Sequence, residues 1–211
     1  MSGIITRLTY QKRHKNRVNI FLDDVYAFSL PDVLASALHL GQWLDDDDIA
    51  QLRARDDRQR AMDKALRLLA RRPRSGHEIA QALQTSGFSS DIREQVLVRL
   101  QEMAYLDDQA FARWWVDNRL QFSPRSVRAL QQELYQKGLP TTLIAQVLES
   151  LDDEALAIAA GQQRAQRWQH LARADFDKKM LSYLQRRGFS YATARHATDY
   201  HWEQLLLEVS A

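Results

Sequence analysis

Leu83-Gln84-Thr85-Ser86-Gly87-Phe88-Ser89, Leu134-Tyr135-Gln136-Lys137-Gly138-Leu139-Pro140 and Leu184-Gln185-Arg186-Arg187-Gly188-Phe189-Ser190 are one phrase written three times. Its glycines lie 51 and 50 residues apart. A fixed period of that length marks a fold assembled from small units rather than one large core. Such arrays work by presenting a long surface to a partner, which moves the expectation away from an enzyme. In each copy the glycine is expected to supply the left-handed cap of a helix and to touch no partner.

Working outward, each unit reads as three helices. In the first, Met62, Ala65, Leu66 and Leu69 follow the i, i+3, i+4, i+7 spacing. Ser75-Gly76-His77-Glu78 then reads as a capping box, and Ile79 and Leu83 line the helix it starts. Ser89 or Ser90 opens the third helix, striped by Ile92, Val96, Leu100 and Met103. In the second unit Phe111, Trp115 and Leu120 share a face, and Ser123-Pro124 reads as an N-cap followed by proline at the first helical position. Leu130 and Leu134 replace Ile79 and Leu83; in the third unit Met180 and Leu184 do so. Leu-Asp-Asp recurs at 44–46, 106–108 and 151–153, where aspartate can cap backbone N–H groups and complement the helix dipole. Some flexibility is expected at these junctions.

Residues 4–30 differ in character. Ile4 to Tyr10, Arg17 to Leu22 and Val25 to Leu30 are rich in β-branched and aromatic residues and read as a three-stranded meander. A short helix from Pro31 to about Leu40, closed by Gly41, follows. The expected fold class is therefore mainly α: tandem three-helix repeats in an elongated array, with a small N-terminal β-meander. The expected domains are a β-rich region 1–44, a linker helix with repeat 1 over 45–105, repeat 2 over 106–150 and repeat 3 over 151–211.

Composition narrows the function. The chain has 211 residues and no cysteine, which excludes disulfides, thiolate metal sites and cysteine nucleophiles. No apolar run approaches a membrane span, and the start lacks a signal-peptide pattern, so a soluble, cytoplasmic, monomeric protein is expected. Net charge is +2 and no segment is strongly basic: Lys+Arg against Asp+Glu is 9 to 9 over 1–60, 7 to 5 over 61–105, 5 to 5 over 106–150 and 8 to 8 over 151–211. Nucleic-acid contact would have to come from local clusters. Asp45 to Asp48 lacks the alternating oxygen donors of a cation loop, and His196 and His201 are off the i, i+4 spacing of a helical metal pair. No catalytic residues, metal site or cofactor are expected.

Three further stretches carry a resemblance. Arg72-Pro73-Arg74-Ser75-Gly76-His77-Glu78-Ile79 resembles the entry to the first repeat of the RecX family. Tyr105-Leu106-Asp107-Asp108-Gln109-Ala110-Phe111-Ala112 and Glu133-Leu134-Tyr135-Gln136-Lys137-Gly138-Leu139 resemble its Leu-Asp-Asp and Glu-Leu-x-x-Lys-Gly motifs. The match covers residues 61–205, and the start with Arg17-Val18-Asn19-Ile20 is similar too. One departure is Ser123-Pro124-Arg125-Ser126, where the family usually has glycine followed by a basic residue. The resemblance implies a noncatalytic protein that binds the RecA–DNA nucleoprotein filament and inhibits it or promotes its disassembly. Weak contact with DNA itself is a separate expectation. The competing expectation is a direct DNA-binding protein using helix-turn-helix-like units, which the near-neutral segment charges disfavour.

Candidate contacts are then basic and aromatic. Arg71, Arg72 and Arg74 precede a helix N-terminus, where backbone N–H groups favour anions; ordinary cation placement at the preceding helix end competes with that reading. Trp115, with Arg113 and Arg119, would suit a protein hot spot if exposed; adjacent Trp114 and Trp115 point about 100° apart, so one or both must pack inside. Arg125 and Lys137 join the list of filament or DNA contacts. Lys178, Lys179, Arg186 and Arg187 form a basic edge of repeat 3, or a merely solvated face. Lys12, Arg13, Lys15 and Arg17, around His14, sit in a hairpin link and could reach DNA phosphates.

Overall fold

The computed structural model describes residues 2–13 and 15–209. Its elements run β1 (Gly3–Tyr10), β2 (Arg17–Leu22), β3 (Val25–Pro31), α1 (Asp32–Ala35), β4 (Trp43–Leu44) and α2 (Asp46–Leu69). Nine-residue α3 (Gly76–Gln84) and α4 (Ser90–Glu102) complete repeat 1. Repeat 2 is α5 (Asp108–Phe122), α6 (Val127–Gln136) and α7 (Thr141–Leu148). Repeat 3 is α8 (Asp153–Trp168), α9 (Arg173–Arg186) and α10 (Tyr191–Val209). The chain divides into two compact units, 1–72 with 79–105 and 73–78 with 106–211, so the division falls inside α3.

The first unit holds an antiparallel sheet of order β3-β2-β1-β4, one strand more than the meander expected. Val18, Ile20 and Leu22 alternate inward on β2, and Asp23-Asp24 turn the chain with both φ positive (46° and 66°), as a two-residue hairpin with right-handed twist requires. The inner face buries Ile5, Ile20, Phe28, Leu30 and Leu44 with Ile49 of α2. The helix after β3 is shorter than expected, a single turn at Asp32–Ala35; the chain then extends, because Trp43 and Leu44 pair with Ile4 and Gly3. Capping of α2 comes from a reciprocal box: Asp45 accepts from the Asp48 N–H and Asp48 accepts from the Asp45 N–H. Ile79, Leu83, Val96 and Leu100, at the expected spacing, are fully or almost fully buried.

All three glycine phrases close their helices alike. Gly87, Gly138 and Gly188 have φ of +84°, +77° and +92°, and the residue after each donates back to the carbonyl of the leucine four before it, at 3.3 Å every time. That is the Schellman arrangement. Ser89 caps α4, as the sequence allowed. Helix α6 starts later than Ser123-Pro124 predicts: its N-cap is the buried Ser126, which accepts from the Ala129 N–H, and Ser123 stays extended at the end of α5.

The second unit stores its apolar surface in two clusters. Phe111, Val116, Leu130, Leu134 and Ile144 form one; Phe176, Met180, Leu184, Phe189, Ala194 and Ala197 form the other. Leu120, Val127 and Leu151 pack against both and weld repeat 2 to repeat 3.

Candidate binding surface

The two aspartates of the second and third Leu-Asp-Asp divide the labour. Asp107 and Asp152 cap their own helices, α5 and α8. Asp108 and Asp153 instead accept from the first N–H of an earlier helix: Gly76 of α3 at 2.8 Å and Val127 of α6 at 2.6 Å. The glycine phrase meets the same two helix starts. Ser75 Oγ donates to the Lys137 carbonyl at 2.6 Å, and the Ser126 N–H donates to the Arg187 carbonyl at 3.2 Å. A Cβ on Gly138 would lie 2.3 Å from the His77 side chain, and one on Gly188 would lie 2.6 Å from Ser126 Oγ. Gly87 has nothing within 4 Å. These serines are buried, so each helix start that would otherwise leave orphan N–H groups is closed by the following repeat.

Around this junction the structure gathers four of the candidate residues. Glu133 of α6 is the hub: its Oε2 accepts from Trp115 Nε1 and Arg119 Nε, both at 2.8 Å, and its Oε1 lies 3.2 Å from Arg125 Nε. The Arg119 guanidinium and the Lys137 ammonium sit 4.8 and 4.7 Å from the Trp115 ring centroid. Lys137 also pairs with Glu78 at 2.8 Å. Three cations against two carboxylates leave a half-buried patch of net positive charge around one indole. Trp114 and Trp115 are both half-buried, each packing on Phe111, so the pair shares the core contact.

Other candidates are scattered. Arg187 is spent at the junction, donating to Ser123 Oγ at 3.0 Å and to the Pro124 carbonyl at 2.8 Å while lying over Tyr183. Arg186 contacts Ser182 on its own helix. Lys178 and Lys179 are exposed on α9, and Arg113 and Arg71 are exposed; none of the four has an ion-pair partner among the described residues. Arg72 and Arg74 are engaged within the chain.

In the first unit Lys12, Arg13 and Lys15 are exposed at the hairpin tip, whereas Arg17 is not available: it grips the buried Asp56 through two bonds, 3.0 and 2.7 Å long. That hydrogen-bonded carboxylate raises the Arg17 pKa above its ordinary value, against the opposing effect of burial. His14 lies outside the described residues.

Sequence reasoning missed the acidic partners. Glu133 stands four before Lys137, a spacing that suggests a pair within one helix, yet Lys137 turns to Glu78 and Glu133 turns to two arginines. It also missed a quartet in repeat 3, where Arg173 and Arg195 each bridge Asp177 and Asp199. Burial alone would raise the Asp199 pKa, but hydrogen bonds from Arg173 and Arg195 hold it below the usual carboxylate value. Among the described residues no group of His, Asp or Glu is arranged to hold a metal ion, and no helix is long and apolar enough to cross a membrane.

Comparison with known proteins places this geometry. Models of the RecX N-terminal domain, the first RecX three-helix domain and the second match residues 3–45, 61–100 and 107–148. The regulatory protein RecX of Bacillus licheniformis is 33% identical over 204 residues, covering 93% of this chain and 78% of that protein. That of Bacillus subtilis is 32% identical, covering 92% and 76%. A crystal structure of regulatory protein RecX superimposes with a TM-score of 0.63 at 24% identity, over 93% of this chain and 99% of that one. RecX from Lactobacillus salivarius gives 0.56 at 20% identity, over 72% and 98%. These two likenesses concern the fold.

Proposed function

The chain belongs to the RecX family of regulatory proteins, and from that premise we propose that it binds the RecA–DNA nucleoprotein filament and restrains it without catalysis. The observation that carries the proposal is the repeated junction: the Leu-Asp-Asp copies at 106–108 and 151–153, each with the glycine that follows it, close the helix starts at Gly76 and Val127, which holds the helices of residues 106–211 in register. A surface held in register can touch several protomers of a helical filament at once, and weak contacts then add through effective concentration. Binding that favours an inactive protomer arrangement shifts the filament toward it by the difference in affinity for the two states.

The contacts we assign to this role are the patch of Trp115, Arg119, Arg125 and Lys137, together with Arg113, the α2–α3 link at Arg71, Arg72 and Arg74, and the α9 edge of Lys178, Lys179 and Arg186. Arg187 acts at the junction. The protein would work in the cytoplasm, where the recombinase and chromosome are.

Co-sedimentation with the cognate recombinase on single-stranded DNA, with strand exchange measured in parallel, tests the reading. Binding and inhibition at or below one chain per protomer are expected. Absence of both would sink it. Charge reversal at Lys178 and Lys179, set against reversal at Arg113, ranks the two faces.

A further inference from the structure

The outer face of the N-terminal sheet is uncovered and oddly furnished. Trp43 on β4 stands in register with Ile4 on β1, and Arg7, Phe21 and Tyr26 form the next row across β1, β2 and β3. Trp43 is 58% exposed and Tyr26 53%. The Arg7 guanidinium lies 3.9 Å from the Phe21 ring centroid, and Tyr26 meets Phe21 edge-on at 5.9 Å. This is an alternation of rings and a flat cation, and among the described residues of these strands Ile4 and Val25 are the large exposed aliphatic groups.

Charge is graded along the same strands. Asp23 and Asp24 occupy the β2–β3 turn at one end, where the Asp23 carboxylate is occupied by the Ile4 N–H at 3.2 Å. At the other end the β1–β2 link carries Lys12, Arg13 and Lys15, exposed and without ion-pair partners among the described residues.

We propose that this face is a binding platform for single-stranded nucleic acid: bases stack on Trp43, Tyr26 and the free side of the Arg7–Phe21 pair, and the phosphate track leads to Lys12, Arg13 and Lys15. Stacking needs exposed π-faces and tolerates any base, while the backbone needs a cationic lane beside them. Both are present on one open sheet. The two rows stand roughly 7 Å apart, about twice the rise of a stacked strand, which suits bases splayed onto separate side chains. The inference goes beyond the filament reading and requires no recombinase.

The test is fluorescence anisotropy of the full chain with labelled oligothymidylate and oligouridylate across a salt series. Binding of at least one is expected, weakened roughly tenfold by Trp43→Ala and by Tyr26→Ala, with Tyr26→Phe retaining it. Joint replacement of Lys12, Arg13 and Lys15 by Gln should flatten the salt slope by about 2. Tyr26 lies at an exposed position, so its variants supply the answer if Trp43→Ala melts early. No binding to either oligomer overturns the proposal. So does binding indifferent to both aromatic substitutions, or equal displacement by duplex. Aromatic variants that spare oligomer binding yet lose filament inhibition would make the face a protein-docking surface, which also overturns it.

Discussion

Gly87, Gly138 and Gly188 share φ but not surroundings, which separates two reasons for being glycine. Left-handed backbone alone costs a β-carbon about 1–2 kcal/mol. At Gly138 and Gly188 the added carbon would also strike His77 or Ser126 and Ala129. We expect Gly87→Ala to lose about 1 kcal/mol in urea unfolding, and Gly138→Ala and Gly188→Ala about 3 kcal/mol or more. Equal losses at the three would show that the close approach is absent in solution. The sequence made the cap legible, because glycine after an apolar helical run has few other uses. It could not reveal the neighbour, which lies some sixty residues earlier in the chain. A second expectation concerns His201, 5% exposed, whose ring nitrogen meets the Ile158 carbonyl at 2.9 Å. Burial pushes its pKa below the ordinary 6.5, outweighing the carbonyl. The unfolded chain therefore takes up this proton as pH falls through about 6.5 while the folded chain does not, so stability is full above that value and declines below it. Urea midpoints at pH 7.5 and 5.5 should differ more for the natural chain than for His201→Gln.

At the scale of elements, boundaries followed capping chemistry more closely than periodicity. Helices α2, α4, α5 and α8 begin after Asp45, Ser89, Asp107 and Asp152, residues whose side chains accept from the first turn. Ser123-Pro124 offered the same signal falsely: the true cap is Ser126, because only there can the first free N–H reach Asp153. The fourth strand escaped notice since two residues, Trp43 and Leu44, are too short to show a period. Arg17 illustrates the limit for sites. In sequence it belongs to a basic run; in the fold it leaves that run to neutralise Asp56 on α2. Arg17→Ala should destabilise the chain by about 3 kcal/mol, because it strands a buried carboxylate. Lys15→Ala, at an exposed tip, should change stability by less than about 0.5 kcal/mol. Thermal melts of the two variants make the comparison.

For the whole molecule, the period of about fifty residues decided the architecture correctly, but the units of packing are not the units of repetition. Residues 73–78 group with 106–211 although they begin α3 of repeat 1. They supply Ser75 to the Lys137 carbonyl, Gly76 to Asp108 and Glu78 to Lys137. A fragment beginning at residue 106, cut where the repeats suggest, leaves those partners exposed. Its urea midpoint should fall below that of a fragment beginning at residue 73, and Asp108→Ala should lower only the longer fragment, by about 1 kcal/mol. Identical midpoints would deny the early segment its role.

Helix α9 has 14 residues where α3 and α6 have 9 and 10, and it starts after Ala172 with no side-chain cap. In its additional first turn Arg173 is tied to Asp177 and Asp199. The start of α9 is therefore held by ion pairs within its own repeat, where α3 and α6 rely on a buried serine and on an aspartate that comes later in the chain.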